Sequence, residues 1–145
     1  MKKAILAALA LFPLLAVSPA AGGEQPRLVT VLTAPDPQTQ LMAMVLSMQS
    51  LQQGASVRIL LCGPAGDLAL KNAPASATAP QLPRGMSPQG LMQKILEKGA
   101  PVEVCAIYLP NKGVGADALI AGVGAAKPAE MAGHLLAEDT RLLTF

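Results

Sequence analysis

Val102-Glu103-Val104-Cys105-Ala106-Ile107-Tyr108-Leu109-Pro110-Asn111-Lys112-Gly113 is an apolar run that ends in a basic, glycine-bearing loop. Val, Ile and Tyr favour a pleated, packed surface, so the run reads as a buried strand. Pro110 has no N–H to donate and would end the ladder. Cys105 then sits inside the strand, and Lys112 and Gly113 lie just beyond its end. In an open α/β sheet, ligands bind outside the carboxyl ends of the strands. A thiol near that edge, with Lys112 in reach, is the best candidate for chemistry. The thiolate is the nucleophile, and positive charge favours it. Gly113 and Gly115 would let backbone N–H groups approach a bound anion. A plainer reading stands beside this one. Free Cys often serves as a small buried hydrophobe, and most lysines point into water.

Upstream of this run, Leu28-Val29-Thr30-Val31-Leu32-Thr33 is a strand with little alternation, as expected when both sheet faces are covered. Asp36-Pro37 opens a helix, with Asp as N-cap and Pro at the first helical position. Leu41, Met44, Val45, Met48 and Leu51 repeat at helical spacing, with Val45 toward the sheet. Met42, Ala43 and Leu46 lie off that stripe and are also apolar, which calls for a second contact, most simply another subunit. Gly54 closes the helix. Ser56 to Cys62 is a second strand, stopped by Gly63-Pro64, and Asp67 to Lys71 fits one helical turn. Residues 72–84 are rich in Ala and Pro and read as a loop across the top of the sheet. Ser87-Pro88 opens a helix with a Leu91, Met92, Ile95, Leu96 stripe, ended by Gly99.

Beyond the Cys105 run, Asp117 to Ala121 fits a short helix and Gly122 to Ala125 a short strand. Pro128 starts the last helix, with Met131, Leu135 and Leu136, and Arg141 to Phe145 is the final strand. Alternating strands and helices predict an α/β fold: a three-layer α/β/α sandwich on a mainly parallel sheet of about five strands.

The start of the chain reads differently. Lys2-Lys3 precede an apolar run from Ala4 to Val17, followed by Ser18-Pro19-Ala20-Ala21. This is the plan of a secretory signal peptide, and residues 1–22 are assigned to it. The run is too short to span a bilayer of roughly 30 Å. Export to the periplasm, or another location outside the cytoplasm, is therefore expected, with no membrane attachment once the signal is removed. Residues 23–145 form a single domain. The chain has 11 Lys+Arg and 9 Asp+Glu, so loss of Lys2 and Lys3 leaves equal numbers. A neutral domain offers no phosphate-tracking surface, and nucleic acid is not an expected partner. Aromatic residues are limited to one Tyr and two Phe, so Leu, Val, Ile, Ala and Met must build the core.

Cys62 and Cys105 lie toward the ends of strands expected to be neighbours. They can bridge only if their Cβ atoms come within about 4.5 Å, so both the disulfide and the free thiols stand. His134 lies between Glu130 and Glu138 at helical spacing and reads as a solvated helix residue. Met44 and Met48 sit a helical turn apart, a spacing that suits either core packing or a soft metal. No cofactor and no metal centre is assigned.

Several of these features carry a resemblance. They are the order of elements, Cys105 with Lys112-Gly113 seven and eight positions after it, Leu68-Ala69-Leu70-Lys71, and the closing Arg141-Leu142-Leu143-Thr144-Phe145. Together they resemble the DsrE-like family, which includes the sulfur-relay proteins TusD and DsrE and the YchN-type proteins. The resemblance covers nearly all of residues 23–145. It implies an α/β/α sandwich that assembles as trimers or hexamers. In the sulfurtransferase members, the cysteine matching Cys105 carries a persulfide. Lys112 stands where the family often has Arg, and the two hold anions differently. The resemblance implies an exported persulfide carrier or sulfurtransferase-like subunit acting through Cys105 and Lys112, with a sulfur-donor or acceptor protein as partner. The alternative is a non-catalytic oligomeric module that binds a small ligand or a protein, with Cys105 in its core.

Overall fold

Thr30 and Ser47 show how the first strand and helix dock. The computed structural model describes residues 25–145; the expected signal peptide lies outside the described residues. Strand β1 (Arg27–Leu32) leads into helix α1 (Pro37–Gln52). Asp36 caps α1 by accepting from the Thr39 N–H at 2.8 Å, which satisfies one of the orphan donors of the first turn. The predicted apolar stripe is rotated in the structure. The buried residues of α1 are Gln40, Ala43, Met44, Ser47 and Met48, while Val45 is half-buried. Two satisfied polar groups explain the shift. Gln40 donates its amide to the Ala34 carbonyl at 2.8 Å. Ser47 donates to the Ala43 carbonyl at 2.8 Å, which leaves its oxygen to accept from the Thr30 hydroxyl at 2.9 Å. A buried hydroxyl with a partner costs little, so this polar face can turn inward.

The chain continues through β2 (Ser56–Leu61), a 3₁₀ segment (Gly63–Ala69), α2 (Ala75–Thr78), α3 (Pro88–Glu97) and β3 (Val102–Val104). Then follow α4 (Tyr108–Lys112), a 3₁₀ turn (Ala116–Ala118), β4 (Gly124–Ala125), α5 (Pro128–Leu136) and β5 (Thr140–Thr144). The five strands form one sheet in the order β4-β3-β2-β1-β5, and every neighbouring pair is parallel. The predicted three-layer α/β/α sandwich is therefore present. Leu32, Ile59, Leu61, Val102 and Val104 pack with α1 and α3. Val29 and Leu60 face the other way, against Ala126 and Met131 of the α5 side. Burying each such large side chain contributes about 1.5–3 kcal/mol.

Three local expectations are corrected. The strand expected to run through Leu109 stops at Val104. The neighbouring ladders end at Leu61 and Ala125, so no strand remains to receive its next hydrogen bonds. The Tyr108 N–H instead donates to the Cys105 carbonyl at 2.8 Å, a turn that launches α4. Pro110 falls in the first turn of α4, where a missing N–H is tolerated. The helical stretch after β2 begins at Gly63 rather than Asp67. Residues 72–84 are not an uninterrupted loop, because Ala75–Thr78 forms α2. Ala77 is buried, and Gln81 to Met86 lie along α1 and α3.

Candidate functional site

Leu61 and Val104 are paired across β2 and β3, so Cys62 and Cys105 form the next pair, just past the ends of both strands. Backbone bonds fix both positions. Cys62 N–H donates to the Leu32 carbonyl at 2.9 Å, and Cys105 N–H to the Leu61 carbonyl at 2.8 Å. The two cysteines are joined in a disulfide with Cα atoms 5.1 Å apart, inside the range that a bridge accepts. Of the two alternatives that the sequence left open, the structure takes the bonded one. Both residues are half-buried, and both lie against the cluster of Val29, Leu60, Ala126 and Met131 on the α5 side.

The position matters as much as the bond. After β3 the chain turns toward the α1/α3 layer, where Tyr108, Leu109 and Val114 pack. After β4 it turns to the opposite layer, where Met131 packs. The connections change side between β3 and β4, and Cys105 sits at that point. Open α/β sheets take their ligands at such switch points.

Lys112 sits at the end of α4, closed by Gly113 in the left-handed conformation at φ 71°. Its ammonium is not aimed freely at the cysteines. It pairs with Asp67 at 2.7 Å. The same Asp67 oxygen accepts from the Tyr108 hydroxyl at 2.6 Å. Asp67 follows Cys62, whereas Tyr108 and Lys112 follow Cys105, so this cluster latches the two cysteine-bearing loops together. Gly66 lets the Tyr108 ring lie flat on the backbone, because a Cβ at that position would overlap the ring. Burial, and then the Asp67 carboxylate, push the Tyr108 phenol well above its ordinary pKa.

Sequence reasoning missed a second set of charges near Cys105. β3 and β4 pair Val104 with Ala125, so Ala126 continues beside Cys105, and Lys127-Pro128 opens α5. Lys127 bonds Glu130 at 2.9 Å. That bond holds the Lys127 ammonium above its ordinary pKa and the Glu130 carboxyl below its own. Arg58 and Glu103 form an ion pair between β2 and β3 on the same sheet face. The signal for this group was the Lys-Pro helix start directly after the short fourth strand.

Other candidates separate. Met44 and Met48 are core residues, which removes the soft-metal reading of that pair. His134 is half-buried, and its carbonyl accepts from the Thr140 hydroxyl at 2.8 Å. Among the described residues, no three His, Cys, Asp or Glu side chains gather as a metal site would require. A groove of about 1160 Å³ runs between α1 and α3, with Leu41, Val45, Met48 and Leu91 along it and Arg84 and Lys94 at its edge. It lies across the sheet from the disulfide.

No protein-family model matches this sequence, and no curated protein matches it. Solved structures do. The ychN protein from E. coli superposes with a TM-score of 0.62 at 22% identity, covering 83% of this chain and 100% of that one. A protein of unknown function from Methanobacterium thermoautotrophicum gives a TM-score of 0.58 at 15% identity, with 83% and 100% coverage. The chain has the DsrE/YchN-type fold.

Proposed function

We propose that this protein handles sulfur at Cys105, as a persulfide carrier or sulfurtransferase-like subunit working outside the cytoplasm. The observation that carries this reading is the half-exposed cysteine pair at the carboxyl edge of a parallel sheet. That edge is where such sheets bind and transform ligands. A disulfide there fits an exported protein, because oxidising compartments preserve such bonds. Because the bridge is only half-buried, other thiols can reach it for exchange. The YchN-type fold suits the same reading, since sulfur-relay proteins are built on it. The start of α5, which opens directly after the Ala126 that lies beside Cys105, adds the field of a helix N-terminus to that of Lys112, and both favour the Cys105 thiolate.

The protein works as a homo-oligomer, a trimer or hexamer. Met42 and Leu46 support this, being 50% and 40% exposed on the outer side of α1. The α1/α3 groove favours a second reading, a non-catalytic module that takes a small apolar ligand or a protein segment.

The test is direct. Protein reduced with a dithiol and then desalted is incubated with a sulfane-sulfur donor and weighed by mass spectrometry. The Cys62→Ser variant, in which Cys105 has no partner thiol, should gain steps of roughly 32 Da, one sulfur atom each. Cys105→Ser should gain none. Equal gain in both would end the sulfur reading and leave the binding-module reading in place.

A further inference from the structure

Cys62 gives the pair a chemistry that a single carrier cysteine lacks. We propose that Cys62 is a resolving thiol, which makes the protein a sulfane-sulfur reductase that releases hydrosulfide. The proposal rests on Cys105 as the sulfur-accepting residue.

The steps balance as follows. In the reduced protein, the Cys105 thiolate attacks the outer sulfur of a donor such as thiosulfate. The new bond joins Cys105 Sγ to that sulfur, and sulfite leaves with the electron pair of the broken S–S bond. The Cys62 thiol passes its proton to the terminal persulfide sulfur. Its thiolate then attacks Cys105 Sγ, the Sγ–S bond breaks, and hydrosulfide leaves. The product is the Cys62–Cys105 disulfide. The sulfane sulfur has gained two electrons, and the two thiols have lost them. An external dithiol reopens the disulfide by exchange and is itself oxidised.

Three features of the site support this assignment. First, the sulfurs are placed by the ends of two strands, and the backbone around both is fixed by ladder bonds. A thiol held beside the persulfide reacts intramolecularly, with a large advantage over one in solution. Second, the Asp67, Tyr108 and Lys112 latch ties the two loops together without using the cysteines. The thiols therefore stay adjacent after the disulfide opens. Third, both cysteines are half-exposed, so donor and dithiol each have access to the edge.

The experiment uses full-length protein, reduced and freed of reductant, with thiosulfate as donor. A parallel arm with inorganic polysulfide is read by mass alone. Wild type should release one hydrosulfide and form one disulfide for each sulfite produced. Cys62→Ser should produce sulfite equally, retain one added sulfur on Cys105, and release hydrosulfide at least tenfold more slowly. Cys62→Ala is the second variant, in case serine disturbs the strand end. Wild type that loads sulfur, keeps it and leaves Cys62 as a free thiol overturns the resolving role but preserves Cys105 as a carrier. So does a disulfide that dithiols open only after unfolding. Loading from neither donor overturns the sulfur reading itself.

Discussion

Opening the Cys62–Cys105 bond should destabilise the fold by an amount set by the loop it closes. The two residues are 43 apart in sequence. Cross-linking a loop of that size removes roughly 13 cal/mol/K of entropy from the unfolded chain, or about 4 kcal/mol at 25 °C. Measured bridges commonly deliver about 2–4 kcal/mol. For a domain of this size, each kcal/mol moves Tm by about 4 °C. Thermal unfolding with and without a dithiol should therefore differ by about 8–16 °C. Cys62→Ser should melt at the reduced temperature whether or not the dithiol is present. The native far-ultraviolet circular dichroism of the reduced protein should be unchanged below its transition, because strand ladders and the Asp67 latch hold the edge. A wild-type Tm that moves by less than about 2 °C on reduction would contradict the reasoning. It would mean that the two sulfurs are not bridged in solution, or that the unfolded chain gains no freedom when they part.

Three further outcomes follow from single contacts. Ser47→Ala should cost about 1–3 kcal/mol in denaturant unfolding, because it strands the buried Thr30 hydroxyl. Thr30→Val should cost less, since Ser47 keeps its bond to the Ala43 carbonyl, and equal losses would contradict this donor assignment. Tyr108 is the only tyrosine in the chain, so alkaline titration of its phenolate absorbance reports one site. Its folded pKa is raised, so the native state holds the proton longer than the unfolded one. Stability should therefore be intact below the ordinary tyrosine pKa and fall as pH rises above it, with phenolate appearing together with unfolding. Phenolate formation in a still-folded protein at the ordinary tyrosine pKa would refute the Asp67 contact. Met42→Asp with Leu46→Asp should shift light scattering toward monomer while leaving Tm of the isolated domain nearly unchanged. Retention of the wild-type mass by the double variant would place the interface elsewhere.

How far these features were legible from residues alone depended on whether they were periodic. Strand and helix alternation marked all five strands, and Asp36-Pro37, Ser87-Pro88 and Pro128 marked helix starts that the structure keeps. The inward side of α1 is hidden from the sequence because Ser47 and Gln40 count as polar in any hydrophobic pattern. Their partners, Thr30 and the Ala34 carbonyl, are visible only in three dimensions. The sequence predicts a longer β3 because Ile107 and Tyr108 favour strands, yet a strand needs neighbours and both neighbours stop short. At the site, Cys105 was found from its place at an expected strand end. Lys112 followed from spacing, but spacing does not show that Asp67 takes its charge. Cys62 could be brought beside Cys105 only by the register of β2 on β3.

The central claim is that Cys105, at the carboxyl edge of β3, accepts sulfur. The Cys62→Ser variant isolates that step, because it can neither form the internal disulfide nor resolve a persulfide. Thiosulfate-treated variant, alkylated and digested, should show one added sulfur on the peptide carrying Cys105 and none elsewhere. A Cys105 peptide that reacts with the alkylating agent as a plain thiol after donor treatment would contradict the account.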